Sequence, residues 1–147
     1  MTTDTRTTPA AKREDEREAV RRFLTSRGCT ERIVDGGIDA LITEWARIAE
    51  SVATGYKPDS LDDYLNDMDV RELIALTLAS VPAAVRPARR ERLAAADARI
   101  RSALKPRARC LWGPGVAASH RWKPEVQWWY FMQPGKPGPG LARELES

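Results

Sequence analysis

Ile38-Asp39-Ala40-Leu41-Ile42-Thr43-Glu44-Trp45-Ala46-Arg47-Ile48-Ala49-Glu50-Ser51-Val52 decides the fold. Its apolar residues Ile38, Leu41, Ile42, Trp45, Ile48, Ala49 and Val52 stand at i, i+3, i+4, i+7, i+10, i+11 and i+14, one face of a helix. Burial of this face is expected to be the principal stabiliser, each fully buried large side chain contributing about 1.5–3 kcal/mol. Upstream, Thr30 caps a helical stretch through Ile33 and Val34, and Gly36-Gly37 should bend or interrupt it. Downstream, Gly55 and Pro58 end the helix.

The same reading extends in both directions. Residues 1–11 are Thr-rich and polar and predict a mobile tail, with a helix from Lys12 that buries Val20, Phe23 and Leu24 and stops at Gly28. Ser60 opens another helix with Asp63 at its third position, a weaker form of the capping box, and Leu61, Tyr64, Leu65 and Met68 make its apolar stripe. Asp69 is read as the cap of a new segment carrying Val70, Leu73, Ile74, Leu78 and Val81. Pro82 and Pro87 mark turns, and a last long helix runs to about Leu104 with Leu93, Ala96 and Ile100 inward.

Beyond Pro106 prolines, glycines and aromatics replace the helical period. Val126-Gln127-Trp128-Trp129-Tyr130-Phe131-Met132-Gln133 is rich in β-formers and predicts a strand, paired with Arg109-Cys110-Leu111-Trp112. Residues 135–147 should fray. The expected architecture is mainly α: one domain over residues 12–134, four or five helices in a bundle-like arrangement, closed by a short C-terminal aromatic β-ribbon.

The totals agree with one globular domain: 147 residues, 42% apolar and 31% charged. A net charge of +3 is too small to require a nucleic acid. Cys29 and Cys110 lack metal or redox spacing and read as buried free thiols, with a disulfide left open. No apolar run approaches the ~18 residues of a membrane span and the N-terminus has no signal-like core, so a cytoplasmic protein without membrane association is expected.

Four groups of residues bear on function. The aromatics Trp112, Trp122, Trp129 and Phe131 either seal the core, anchor a partner protein, or stack on single-stranded nucleic acid. The basic stretch from Arg86 to Arg109 offers Arg89, Arg90, Arg92, Arg99 and Arg101 to phosphates. Helical geometry instead sets these charges on both flanks of the buried stripe, free to pair with the acidic run Asp59, Asp62, Asp63, Asp67, Asp69 and Glu72. That run is not an EF-hand, and no metal or cofactor is expected. His120 follows Ser119 in sequence, which is not a nucleophile–base geometry; Cys110 beside Arg107 and Arg109 has neighbours able to lower its pKa.

Taken together, GYKPDSLDDYLNDMDVREL (55–73), DARIRSAL (97–104), RCLWG (109–113) and WKPEVQWWYFMQP (122–134) resemble a group of small bacterial proteins. These carry a GY…LDDYLND…D-R…C-WG…W…WWY pattern, which covers residues 38–134 here. The resemblance implies a stand-alone bacterial domain and transfers no functional residue.

By elimination the sequence points to a non-catalytic protein-interaction module of an immunity or antitoxin-like kind. Its expected contact residues are Trp112, Trp122, Trp129, Phe131, Asp62, Asp63 and Asp67. Nucleic-acid binding through the basic helix is the alternative, and a small enzyme using His120 or the acidic cluster the third reading. A deep polar hollow joining His120 to several acids would contradict the leading one.

Overall fold

The computed structural model describes residues 8–146. Among them are α1 (Pro9–Ser26), α2 (Glu31–Thr54), α3 (Leu61–Ser80), α4 (Pro87–Arg101), β1 (Leu104–Pro106), α5 (Pro114–His120), β2 (Met132–Pro134) and α6 (Pro139–Leu145). The protein is mainly α, with a two-stranded antiparallel sheet near its C-terminus. No described helix is long and apolar enough to cross a membrane.

The axis of the fold is α2, which packs against α1, α3 and α4. All seven residues of the Ile38-to-Val52 face are buried, Trp45 and Ala49 completely. The expected bend is real: Gly37 takes φ 67° and ψ −164°, a left-handed conformation that glycine adopts without a Cβ penalty. Gly55 caps the helix end, and the Ser60 hydroxyl accepts the Asp63 N–H at 3.1 Å to start α3.

Polar side chains lock the helices at two places. In the first, Asp97 of α4 receives the Trp45 indole N–H of α2 at 2.8 Å and both Nε and Nη2 of Arg71 from α3, at 2.9 and 3.0 Å. The Arg71 guanidinium also lies 4.5 Å from the Trp129 ring centre, which ties the aromatic segment to the bundle. In the second, buried Glu16 of α1 accepts from Arg86 and Arg89. Arg89 also holds Asp39 of α2 through two bonds of 2.8 Å.

The structure revises several expectations. The first helix starts at Pro9, inside the expected tail, because Thr8 caps it and Pro9 suits the first turn; residues 1–7 lie outside the described residues. Asp69 does not cap a new segment, since α3 runs unbroken through it. The fourth helix ends at Arg101, and Leu104 enters β1 instead. Arg89, Arg92 and Arg99 pair with Asp39, Thr43 and Glu50 of α2, not with the acidic run, because α4 packs on α2.

The aromatic run is not a strand. Trp128–Tyr130 forms a 3₁₀ turn, and the ladder pairs Leu104 with Pro134, Lys105 with Gln133 and Pro106 with Met132. A strand would have turned alternate rings outward, whereas the 3₁₀ turn spreads consecutive side chains around its axis, so that all three rings are buried. Trp128 meets Trp45 and Arg101, Trp129 meets Arg71, and Tyr130 meets Trp122. The expected partner segment still lies alongside, with the Leu111 N–H on the Tyr130 carbonyl at 2.7 Å.

Nor do residues 135–146 simply fray; residue 147 of that expected tail lies outside the described residues. Pro139–Leu145 forms α6, with Leu141 and Leu145 buried, and the Asp59 carboxylate accepts the N–H groups of Gly140 and Leu141 at 2.9 Å each. The fit requires glycine: a Cβ at Gly140 would stand 2.7 Å from the Asp59 backbone oxygen. Asp59→Ala is therefore expected to release α6, read as faster amide exchange at Leu141. Acid should act in the same sense. The bonds from Leu141 and Gly140 hold the Asp59 carboxyl below its ordinary value of 3.8, so its contribution is complete above that value and is lost as pH falls through the lowered one. Unchanged exchange in the variant would refute the latch.

Candidate functional site

The residues expected to meet a partner are divided by the fold. Trp129 and Phe131 are buried, at 3% and 9% exposure, so they belong to the core. Trp112 is 39% exposed and Trp122 half-buried. Asp62 and Asp63 are exposed in the first turn of α3, while half-buried Asp67 accepts the Tyr56 hydroxyl at 2.5 Å, its carboxyl pushed up by burial. None of these three aspartates lines the cleft that Trp112 and Trp122 share.

That cleft, of about 790 Å³, runs along α3. Helical spacing puts Asp69, Glu72, Leu73 and Leu76 on one side of it, and Trp112, Val116, His120, Trp122 and Tyr130 form the other. Three of these rings form a ladder: His120 lies 4.6 Å from Trp122 at 13°, and Trp122 lies 4.2 Å from Tyr130 at 24°. The ladder and the helix are joined at Asp69, whose Oδ1 accepts the Tyr130 hydroxyl at 2.5 Å and the Trp112 indole N–H at 3.3 Å.

Burial pushes the Asp69 carboxyl up, and the two hydrogen bonds offset this only in part. Glu72 is likewise raised by burial, against the pull of the Trp122 indole. The Tyr130 hydroxyl is raised by burial and by its bond to Asp69. Among the described residues neither Asp69 nor Glu72 is in an ion pair, unlike Glu16, Asp39, Glu50 and Asp97.

His120 and two acids do share this surface, the arrangement that sequence reasoning named as hostile to a binding role. Leu73, Leu76, Val116 and the aromatic rings nevertheless line the cleft together with these polar groups, so it is not a purely polar hollow. Among the described residues His120 makes no side-chain hydrogen bond, so no nucleophile is paired with it. Cys29, a free thiol, is on the rim. Cys110 is free and buried, as its sequence reading expects, and burial raises its thiol pKa despite Arg107, so the arginine neighbours do not lower it. Among the described residues no three His, Cys, Asp or Glu side chains are grouped to hold a metal ion.

Across Trp122 lies a second hollow of about 710 Å³ with an apolar floor and Arg109, Arg121 and Lys123 at its edge. On α4, Arg89, Arg92 and Arg99 make side-chain hydrogen bonds and Arg101 lies 4.6 Å from the centre of the Trp128 ring; Arg92, Arg99 and Arg101 remain exposed, as does Arg90. Sequence reasoning missed Asp69 and Glu72 as site residues because the acidic run does not distinguish them. Their spacing with Leu73 and Leu76 was the available signal. No protein-family model, curated protein or solved structure matches the chain.

Proposed function

We propose that this protein is a non-catalytic protein-interaction module that receives a partner protein in the cleft between α3 and the Trp112–Tyr130 segment. The observation that carries the reading is the exposed Trp112 ring beside a ladder of three stacked rings, on an open and partly apolar surface. Aromatic side chains held rigidly at a surface lose little entropy on binding and are frequent interface anchors. Arginines of α4 occupied by α1 and α2 are poorly placed to release counterions from a nucleic acid, which disfavours that alternative. An immunity or antitoxin-like role would follow if the partner were a toxin whose active surface the module covers.

The test is partner capture from the native cell with variants of known stability. Trp112→Ala is expected to reduce recovery of one stoichiometric partner about tenfold or more, the size of a hot-spot truncation, with an unchanged unfolding midpoint. Arg90→Ala, at an exposed position of α4, should leave recovery intact. Equal recovery with Trp112→Ala, or loss with Arg90→Ala alone, would refute the assignment.

The shared position of His120 and Glu72 favours one second reading, acid–base chemistry on a small substrate. His120→Phe separates the two, since it keeps the ring stack and removes the imidazole. A binding module retains capture in this variant.

A further inference from the structure

We infer that the cleft takes the guanidinium of an arginine presented by a partner polypeptide, lying over the Trp112 ring with Asp69 and Glu72 as its counter-ions. This deepens the proposed function and rests on the cleft being the partner-binding surface.

The interior of the molecule contains a related arrangement. Asp97 receives an indole N–H from Trp45 and a two-pronged guanidinium from Arg71, which itself stacks on an indole, Trp129. Asp69 receives an indole N–H from Trp112 and a hydroxyl from Tyr130, and among the described residues no guanidinium reaches it. The cleft thus repeats the carboxylate and the indole donor of the interior site without a guanidinium on the carboxylate; the ring left to stack on is the donor itself, Trp112, whereas inside it is a second indole, Trp129.

Charge supports the same occupant. A carboxylate withdrawn from water without a cation is costly, and most of this protein's other withdrawn acids are paired. Asp69 and Glu72 are half-buried and raised by burial, a cost that an incoming cation would relieve. Arginine suits the site better than lysine, because its planar group stacks on an indole while bonding carboxylates edge-on. Leu73, Leu76 and Val116 flank the acids and would contact the methylene stem and neighbouring residues, which favours a polypeptide over free arginine. Arg27 stands on the rim and opposes any cation that enters.

The probes are acetyl-Ala-Arg-Ala-amide, its citrulline and lysine counterparts, and free arginine, each titrated against the full chain while the Trp112 and Trp122 indole N–H resonances are followed. The arginine peptide should shift both resonances saturably. Citrulline, isosteric and uncharged, should bind about tenfold more weakly or worse, as should the arginine peptide to Glu72→Gln, since charge-assisted hydrogen bonds are lost in each case. Arg27→Gln should tighten binding. Equal binding of the citrulline or lysine peptide, indifference to Glu72→Gln, or free arginine binding as well as the peptide would overturn the inference. If Trp112→Ala abolishes partner capture while the arginine peptide fails to bind, this inference falls and the proposed function stands. If capture ignores Trp112, the proposed function falls first.

Discussion

Asp97→Ala is expected to destabilise the protein by about 3 kcal/mol, the lower end of the range for removing one partner of a buried ion pair. The lower end applies because the Arg71 and Asp97 side chains retain 12% and 19% of their exposure, so water still reaches part of the pair. Loss of the carboxylate leaves the Arg71 guanidinium facing Trp129 without a counter-ion and the Trp45 indole N–H without its acceptor, in the middle of three packed helices. Urea unfolding should show a lower midpoint with an unchanged slope. Replacing both members, as Arg71→Met with Asp97→Leu, should cost less than the two single changes added, because no orphaned charge remains. A loss below about 1 kcal/mol in Asp97→Ala, the worth of a surface pair, would show that the triad is not structural.

Trp129→Ala is expected to be at least as severe, about 3–5 kcal/mol, the usual cost of removing a large aromatic from a packed core. Trp129 is buried, meets Trp128 edge-on at 5.5 Å, and forms the surface on which Arg71 lies. Against a total stability of the order of 5–15 kcal/mol, this would bring the domain near unfolding. Trp129→Phe should be much milder. It keeps most of the ring and removes an indole N–H that is buried without a hydrogen-bond partner.

These two residues also show what was legible in the chain. The α2 face could be read directly, because seven apolar residues in helical register have only one way to be buried together. Gly37, Ser60 and Pro87 were legible for a similar reason, since caps and breaks act on their nearest neighbours. The 3₁₀ turn at Trp128–Tyr130 was not, because local β-propensity yielded to the burial of three consecutive rings among helices set elsewhere. The docking of α6 depends on Asp59, 81 positions before Gly140, and no local pattern announces it. The candidate site was half visible. Trp112 and Trp122 stood out by type, but only the fold separates them from Trp129 and Phe131, and Asp69 and Glu72 from Asp62, Asp63 and Asp67.

The central claim divides the tryptophans into those that hold the core and those that face a partner. It is tested most directly by urea unfolding and partner capture measured side by side on Trp129→Ala and Trp112→Ala. The account predicts a large fall in stability for Trp129→Ala, and loss of capture at parental stability for Trp112→Ala. A stable Trp129→Ala protein that no longer captures the partner, with Trp112→Ala binding normally, would contradict it.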